Sequence, residues 1–344
     1  MSDHSVAIIL LTYNSLPQLE EFLPIVVANS PKYASIYIID NASEDGSHDF
    51  VTQQYSDIKW IQHKKNYGFA AGYDHGLREV EEEYWVLLNA DVEVTPNWLA
   101  PLISRLESNE SIAVVQPKIK AQQKRNHFEH AGASGGFIDR FGYTFCRGRI
   151  FDKTEVDTGQ YEEPIPCFWA SGACMAIKKS VYYEVGGFDH RFFMHMEEID
   201  LCWRIQRMGY EIFCEPSSTI YHVGGGSLAY DNPKKTYFNF RNNLIMLHKN
   251  LPAGSACVVI LLRVCLDWIA AFREMLNLRF SNTFAIGIAW LMYLRGILFW
   301  KRSFNHKQHN KINTIYQKSI LRDFFFLNNK LYSSLRHEDI DRRR

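Results

Sequence analysis

Asp91 follows the apolar run Val86-Leu87-Leu88, with Asn89 and Ala90 between. A carboxylate at the end of such a run is expensive to bury unless a cation neutralises it. Mg²⁺ and Mn²⁺ take oxygen ligands, commonly one or two carboxylates with substrate phosphates completing the shell, so Asp91 is the first candidate ligand. Glu93 is a poorer one, since strand alternation or a helix-starting role before Pro96 explains it as well. His222 stands before the run Gly224-Gly225-Gly226; a neutral imidazole there can ligate a metal, and the glycines let backbone approach phosphate. A third group, Glu197, Glu198 and Asp200, puts three acids within four residues beside Phe192 and Phe193. Neighbouring carboxylates raise one another's pKa, and such costs usually mark function. The plainer alternatives are helix N-terminal caps for the two glutamates and an i,i+4 pair with Arg204 for Asp200.

Four polar loops, the Asp91 loop among them, need a scaffold that brings them together: Thr12-Tyr13-Asn14, Asp40-Asn41-Ala42-Ser43, Asn66 to Gly72, and Asn89 to Glu93. Each follows a short β-rich apolar run, for which we expect strands at Val6 to Thr12, Ile36 to Asp40, Ile58 to Gln62, Tyr84 to Leu88 and Ile112 to Pro117, with helical periodicity between them. That alternation predicts an α/β fold with a Rossmann-like, mostly parallel sheet flanked by helices, and such sheets bind ligands at the carboxyl ends of their strands. An aromatic face, a carboxylate and amides at adjacent strand ends can stack on a nucleotide base and bond its edge and ribose. Taken singly, each loop is weak evidence, since Asp-Asn-Ala-Ser also caps a helix.

From Lys118 to Pro166 the periodicity is lost, and this stretch is expected to be a loop-rich lid or acceptor-side wall, with Trp169 just beyond it available to stack on a sugar. Order returns with a strand at Cys174 to Ile177, a helix from Lys179, a Gly186-Gly187 turn, a helix from Ile199 to Met208, and a strand pair, Glu211 to Cys214 with Thr219 to His222. The expected division is a catalytic domain over 1–251 and a helical C-terminal region over 252–344. In the latter, the run Thr283 to Trp300 approaches the roughly 20 apolar residues of a membrane span. Trp268, Trp290, Trp300 and the nearby basic residues favour an interfacial helix and peripheral membrane contact, with a soluble helical hairpin as the alternative.

Lys+Arg and Asp+Glu both number 38, which leaves no long-range pull toward nucleic acid. Seven cysteines without a CxxC pair fit buried thiols in a reducing compartment, and the amino terminus does not read as a signal peptide, so the expected location is cytoplasmic, at the inner face of the plasma membrane.

Together the ordered pieces TYNS, DNASEDGS, NYGFAAGYDHG, LLNADVE, ASGACMAIKKS, GGFDHRFFMHMEEIDLCWR and YHVGGGS, spread from Ser5 to Leu251, resemble family 2 glycosyltransferases, which are inverting enzymes of the GT-A fold, and among them the bacterial rhamnosyltransferases. The resemblance implies a nucleotide-sugar donor, dTDP-rhamnose or a UDP-sugar first, a glycan or lipid-linked saccharide acceptor, and Mg²⁺ or Mn²⁺. It implies that Thr12, Tyr13, Asp40 and Asn41 line the base and ribose pocket with Asn66 and Gly68 nearby. Asn89 and Asp91 take the family's Asp-any-Asp position, with Asn in place of the first acid. His222 completes the metal site, and Glu198 becomes the catalytic base, a Glu where the family's motif usually has Asp. Glu197 and Asp200 are then expected to shape the acceptor site or orient the base. The competing readings are a nucleotidyltransferase, against which no Lys- or Arg-bearing glycine loop opens the chain, and a non-catalytic sugar-binding protein of the same fold.

Overall fold

The computed structural model describes residues 5–224, 232–297, 299, 312–336 and 339–340. The first third alternates strand and helix: β1 (Val6–Thr12), α1 (Leu16–Asn29), β2 (Ala34–Asp40), α2 (Ser47–Gln54), β3 (Lys59–Gln62), α3 (Gly68–Gly76), β4 (Tyr84–Asn89), β5 (Val92–Val94), α4 (Leu99–Glu107) and β6 (Ile112–Ala121). β1 is apolar from Val6 to Leu11 because it is covered on both faces, as buried parallel strands are. Val6, Ile8 and Leu10 share a core with Leu19, Leu23, Leu99 and Leu102, while Ala7 and Ile9 share another with Ala70, Tyr73 and Ile199.

Then come β7 (Gly136–Asp139), β8 (Thr144–Cys146), β9 (Arg149–Ile150), β10 (Lys153–Thr154), β11 (Ile165–Pro166), β12 (Cys174–Lys178), α5 (Lys179–Glu184), α6 (Glu197–Arg207) and β13 (Glu211–His222). The chain continues through α7 (Pro233–Asn250), α8 (Ala253–Leu276), α9 (Phe280–Gly296), β14 (Ile315–Tyr316) and α10 (Ile320–Phe325). The main sheet runs β11-β13-β6-β12-β4-β1-β2-β3, with β5 also paired to β13. β3, β2, β1, β4, β6 and β13 point one way, and β12, β11 and β5 oppose them. This is the mostly parallel, helix-flanked sheet that the apolar patterning predicts.

Three expectations are corrected. Glu211 to Cys214 and Thr219 to His222 do not pair with each other; they are halves of β13, both alongside β6, and Pro216 to Ser218 make a register shift rather than a turn. The stretch from Lys118 to Pro166 is not merely loop, because it holds the tail of β6 and a second sheet ordered β10-β9-β8-β7-β14. Strands of two to four residues are too short to display an alternating pattern. Among the described residues the helix long and apolar enough to cross a membrane is α8, ahead of α9, which holds the described part of the run from Thr283 to Trp300 up to Gly296. Charges that interrupt α8 in sequence, Arg263 and Asp267, pair with each other on its buried face, 2.9 Å apart. Trp300 lies outside the described residues.

Candidate active site

The strand ends of β1, β2 and β4 lie side by side, since Thr12 is in register with Asp40 and Leu11 with Asn89. The Asp40 carboxylate is buried and ties three loops: it accepts from Thr12 Oγ1 (3.2 Å), Ser43 N (2.8 Å), Gln62 Nε2 (2.7 Å) and the Ser43 hydroxyl. Asn41 donates to Gly68 O at 2.9 Å, and Asn66 Oδ1 receives Gly68 N at 2.8 Å. Gly68 has φ +78°, and a Cβ there would sit 2.5 Å from Phe193 O, so only glycine fits between the strand-end loops and the acidic segment. Tyr13, by contrast, is 49% exposed, a ring free to lie against a planar ligand. Asn89 is half-buried at the end of β4, its backbone N–H bonded to Ala173 O at 3.0 Å.

Asp91 and His222 meet across the β5–β13 edge, with Asp91 Oδ1 3.2 Å from His222 Nε2. The other ring nitrogen, Nδ1, stands 3.5 Å from Glu129 Oε2. Burial alone would lower the His222 pKa, but the two flanking carboxylates raise it to about 10. Burial likewise works to raise Asp91 and Glu129, and their bonds to His222 hold both below the ordinary carboxylate value. Among the described residues no three His, Cys, Asp or Glu side chains form a ready-made metal cage. Two protein ligands suffice when phosphates complete the shell, and 3.2 Å is close to the edge of an octahedron with ligands at 2.0–2.1 Å, roughly 3 Å. The donor set therefore fits a hard divalent cation once His222 gives up its proton. Glu93 is turned elsewhere, paired with Arg125 at 2.6 Å.

The acidic segment is held from both sides. Phe69 N donates to Phe193 O at 2.8 Å, the Phe193 ring stacks on Phe238 of α7 (5.8 Å, 16°), and Asn242 Nδ2 donates to the carbonyls of Met194 and His195, both at 2.8 Å. So clamped, His195 and Met196 adopt φ of +67° and +73°, costly for residues with a Cβ. α6 then starts at Glu197, which is buried, followed by Glu198, half-buried. The Oε2 atoms of both glutamates have no hydrogen-bond partner among the described residues. Burial raises the Glu198 pKa to about 7; burial and the neighbouring Glu198 raise Glu197 well above its ordinary value. Asp200 points another way, accepting from Arg204 Nε (2.9 Å), Lys249 Nζ (2.7 Å) and Asn250 Nδ2 (2.6 Å), and these cations outweigh burial to keep its pKa low. Its surroundings are those of a structural anion.

A model of glycosyl transferase family 2 matches residues 7–186, more than half of the chain. The chain belongs to this family. The matched stretch of the glycosyl transferase holds the donor-side loops, Asp91 and Glu129, while α6 and His222 lie beyond it. Among curated relatives, the N-acetylglucosaminyl-diphospho-decaprenol L-rhamnosyltransferase of Mycobacterium tuberculosis is 24% identical over 256 residues, covering 70% of this chain and 83% of that one. The low-salt glycan biosynthesis hexosyltransferase Agl10 of Haloferax volcanii is 23% identical over 245 residues, covering 70% and 74%. Two solved structures share the fold: the mannosyltransferase PcManGT of Pyrobaculum calidifontis, in complex with GDP-Man and Mn²⁺, has a TM-score of 0.54 at 14% identity over 86% of this chain and 88% of its own. GalNAc-T7 with UDP, GalNAc and Mn²⁺ has a TM-score of 0.56 at 18% identity over 72% of this chain and 48% of its own. The protein is a glycosyltransferase of the GT-A fold.

Glu129, Asn242 and Lys235 escaped the sequence reading. Glu129 lies in the stretch read as loop, one acid between Phe128 and His130 with no pattern to mark it. Lys235, in the first turn of α7, is near enough to feel the charge of Glu129, and burial lowers its pKa. Trp169 is not available to a sugar: it is buried, bonded through Nε1 to Phe137 O at 2.9 Å, with its ring over Gly136.

Proposed function

We propose that the enzyme transfers a sugar with inversion from a nucleotide diphosphate to a hydroxyl of a glycan or lipid-linked saccharide, in cell-surface polysaccharide synthesis on the cytoplasmic face of a membrane with which it makes peripheral contact. The observation that carries this is the Glu198 carboxyl, half-buried, without a partner for Oε2, and on a segment bonded directly to the donor-side loops through Phe69 and Phe193. A protein that only bound sugar would bear the cost of such a carboxyl for nothing.

In this mechanism the acceptor oxygen attacks the anomeric carbon as the bond to the diphosphate oxygen breaks on the opposite face, and Glu198 takes the hydroxyl proton. Burial and the neighbouring Glu198 push the Glu197 pKa well above its ordinary value, and a proton on Glu197 keeps the site from holding two adjacent charges. Asp40, Asn41 and Tyr13 hold ribose and base, with Thr12, Asn66 and Gly68 fixing their loops and Asn89 beside the diphosphate. Asp91 and His222 would hold Mg²⁺ or Mn²⁺, and the bound ion supplies Lewis-acid neutralisation of the charge gathering on the leaving diphosphate. We put dTDP-rhamnose first among donors, a choice supported by the likeness to an L-rhamnosyltransferase. A thermal-shift screen of dTDP-, UDP- and GDP-sugars with either metal tests this, because a ligand that binds the native state raises Tm. No shift with any nucleotide-sugar would sink the reading.

A further inference from the structure

The chain's balanced charge is the sum of two unlike parts. Residues 1–251 carry 23 Lys and Arg against 32 Asp and Glu, a net of −9, whereas residues 252–344 carry 15 against 6, a net of +9. The positive part also presents a long apolar surface. On α8, Val258, Leu261, Ile269, Phe272 and Leu276 are 54–66% exposed and, with the exposed Cys265 between Leu261 and Ile269, recur every three or four residues, one stripe along the helix. The turn into α9 adds Leu278 at 77%, and α9 adds Phe284, Ile288 and Leu291 at 50–71%. Exposed Arg273, Arg279 and Arg295 accompany them. Contiguous apolar surface on this scale marks an interaction site in a folded chain.

By length and composition α8 could cross a bilayer. Its midpoint is tied to the catalytic body instead. Arg263 bonds Asn243 of α7 and lies 4.4 Å over the Tyr143 ring, and Asp267 receives Trp290 Nε1 of α9 at 3.1 Å. A helix fastened at its middle to a globular body can lie on a membrane but cannot thread it.

We propose that the α8–α9 hairpin docks in the plane of an anionic lipid leaflet, its stripe sunk roughly 5–10 Å into the headgroup and acyl boundary and its arginines on lipid phosphates. The charge selects this occupant over a second copy of the chain, since the hairpin carries four Arg against Asp267 and Glu274, and pairing two stripes would set its exposed Arg273, Arg279 and Arg295 against their own copies. The docking deepens the proposed transfer to a lipid-linked acceptor and rests on that reading for its purpose. Thr236 Oγ1 bonds Asn282 Oδ1 at 3.3 Å, and two residues on Phe238 stacks against Phe193. The start of α9 and the acidic segment thus share one end of α7, so a docked hairpin holds Glu198 near the surface where a lipid-borne saccharide stands.

The test uses the full chain with vesicles of phosphatidylcholine, alone or mixed with phosphatidylglycerol. Flotation is expected with the mixed vesicles only, reversed by high salt. Cys257 and Cys265, both on α8, are exposed thiols, while the other five cysteines are buried. A membrane-impermeant maleimide should label them several-fold more slowly once mixed vesicles are present. A fluorophore placed on them should be quenched by nitroxides near the headgroups and spared by nitroxides at the bilayer centre. The double variant Ile269→Glu/Phe272→Glu should lose flotation while keeping its Tm and its nucleotide-sugar binding. Equal binding to both vesicle types, flotation of the double variant, or quenching from the bilayer centre overturns the proposal, as does a dimer in solution that the double variant makes monomeric. Turnover on a soluble acceptor without vesicles tests the transfer reading separately. Vesicle binding without turnover leaves docking standing, and turnover without vesicle binding removes it.

Discussion

Where the donor loops meet, the polar groups are already satisfied. Asp40 takes four hydrogen bonds from three loops, and Asn41 is bonded to Gly68. Beside them the acidic segment is the reverse: two left-handed residues in succession, two carboxyls with an oxygen unpaired, and pKa values pushed up by burial. The first wall is preorganised to receive a ligand in its resting shape. The second holds groups at a cost that only a reacting partner relieves, the usual exchange of stability for activity. Substitutions should therefore act in different currencies on the two sides, on rate and stability at the acidic segment and on affinity at the loops.

The largest expected effect is Glu198→Gln, which keeps the shape and removes the base: kcat should fall by about 10²- to 10⁴-fold with donor affinity nearly unchanged, read by single-turnover kinetics beside calorimetry. If Glu197→Gln is the dead variant and Glu198→Gln turns over, the two roles are exchanged. Next comes the metal. Asp91→Ala should abolish metal-dependent nucleotide binding, and His222→Ala should weaken it less severely. Glu129→Gln, which loosens the imidazole without touching the ion, should cost about 10- to 100-fold in Mn²⁺ affinity, read by calorimetry in the presence of nucleotide.

The pH dependence sharpens the contrast. Glu198 works as a base only when ionised, so with its pKa raised to about 7 the rate should fall as pH drops below that value. Stability runs the opposite way. A carboxyl whose folded pKa is raised binds a proton that the unfolded chain gives up, so its stability is full at low pH and is lost as pH rises through the folded value. Glu198→Gln should therefore melt higher than the parent at about pH 8 and alike at about pH 4. A variant that melts lower at both would show that the carboxylate is a structural partner. The smallest effect belongs to the satisfied wall: Thr12→Val removes one hydrogen bond to Asp40, worth about 1 kcal/mol, or about fivefold in donor affinity.

The parallel half of the fold was legible because its strands are buried on both faces and end in unusual polar residues; Val6 to Thr12 emerges with the bounds its pattern predicts. The acids of α6 were visible as a cluster, and the i,i+4 spacing of Asp200 from Arg204 already offered the pair that the structure makes. The second cation on Asp200, Lys249, comes from α7, 49 positions along the chain, where no local spacing points to it. Glu129 was hidden in the same way. Its partner His222 is 93 positions away along the chain, and it sits where short strands leave no period to read. The small sheet was missed for that same reason, and its last strand comes from a part of the sequence that apolar helices dominate.

That last strand sets an order of events in synthesis. Ile315 pairs with Ile138, and Ile320 N bonds Asp139 Oδ2 at 3.0 Å, so the edge of β7 is completed by residues 177 positions downstream. At about 5–20 residues per second, a ribosome leaves that edge open for roughly 10–35 s after it emerges. An unpaired edge is a template for the wrong neighbour. A chain that stalls or is cut before Ile315 keeps that template permanently, so yield in the cell should depend on the tail long before catalysis does.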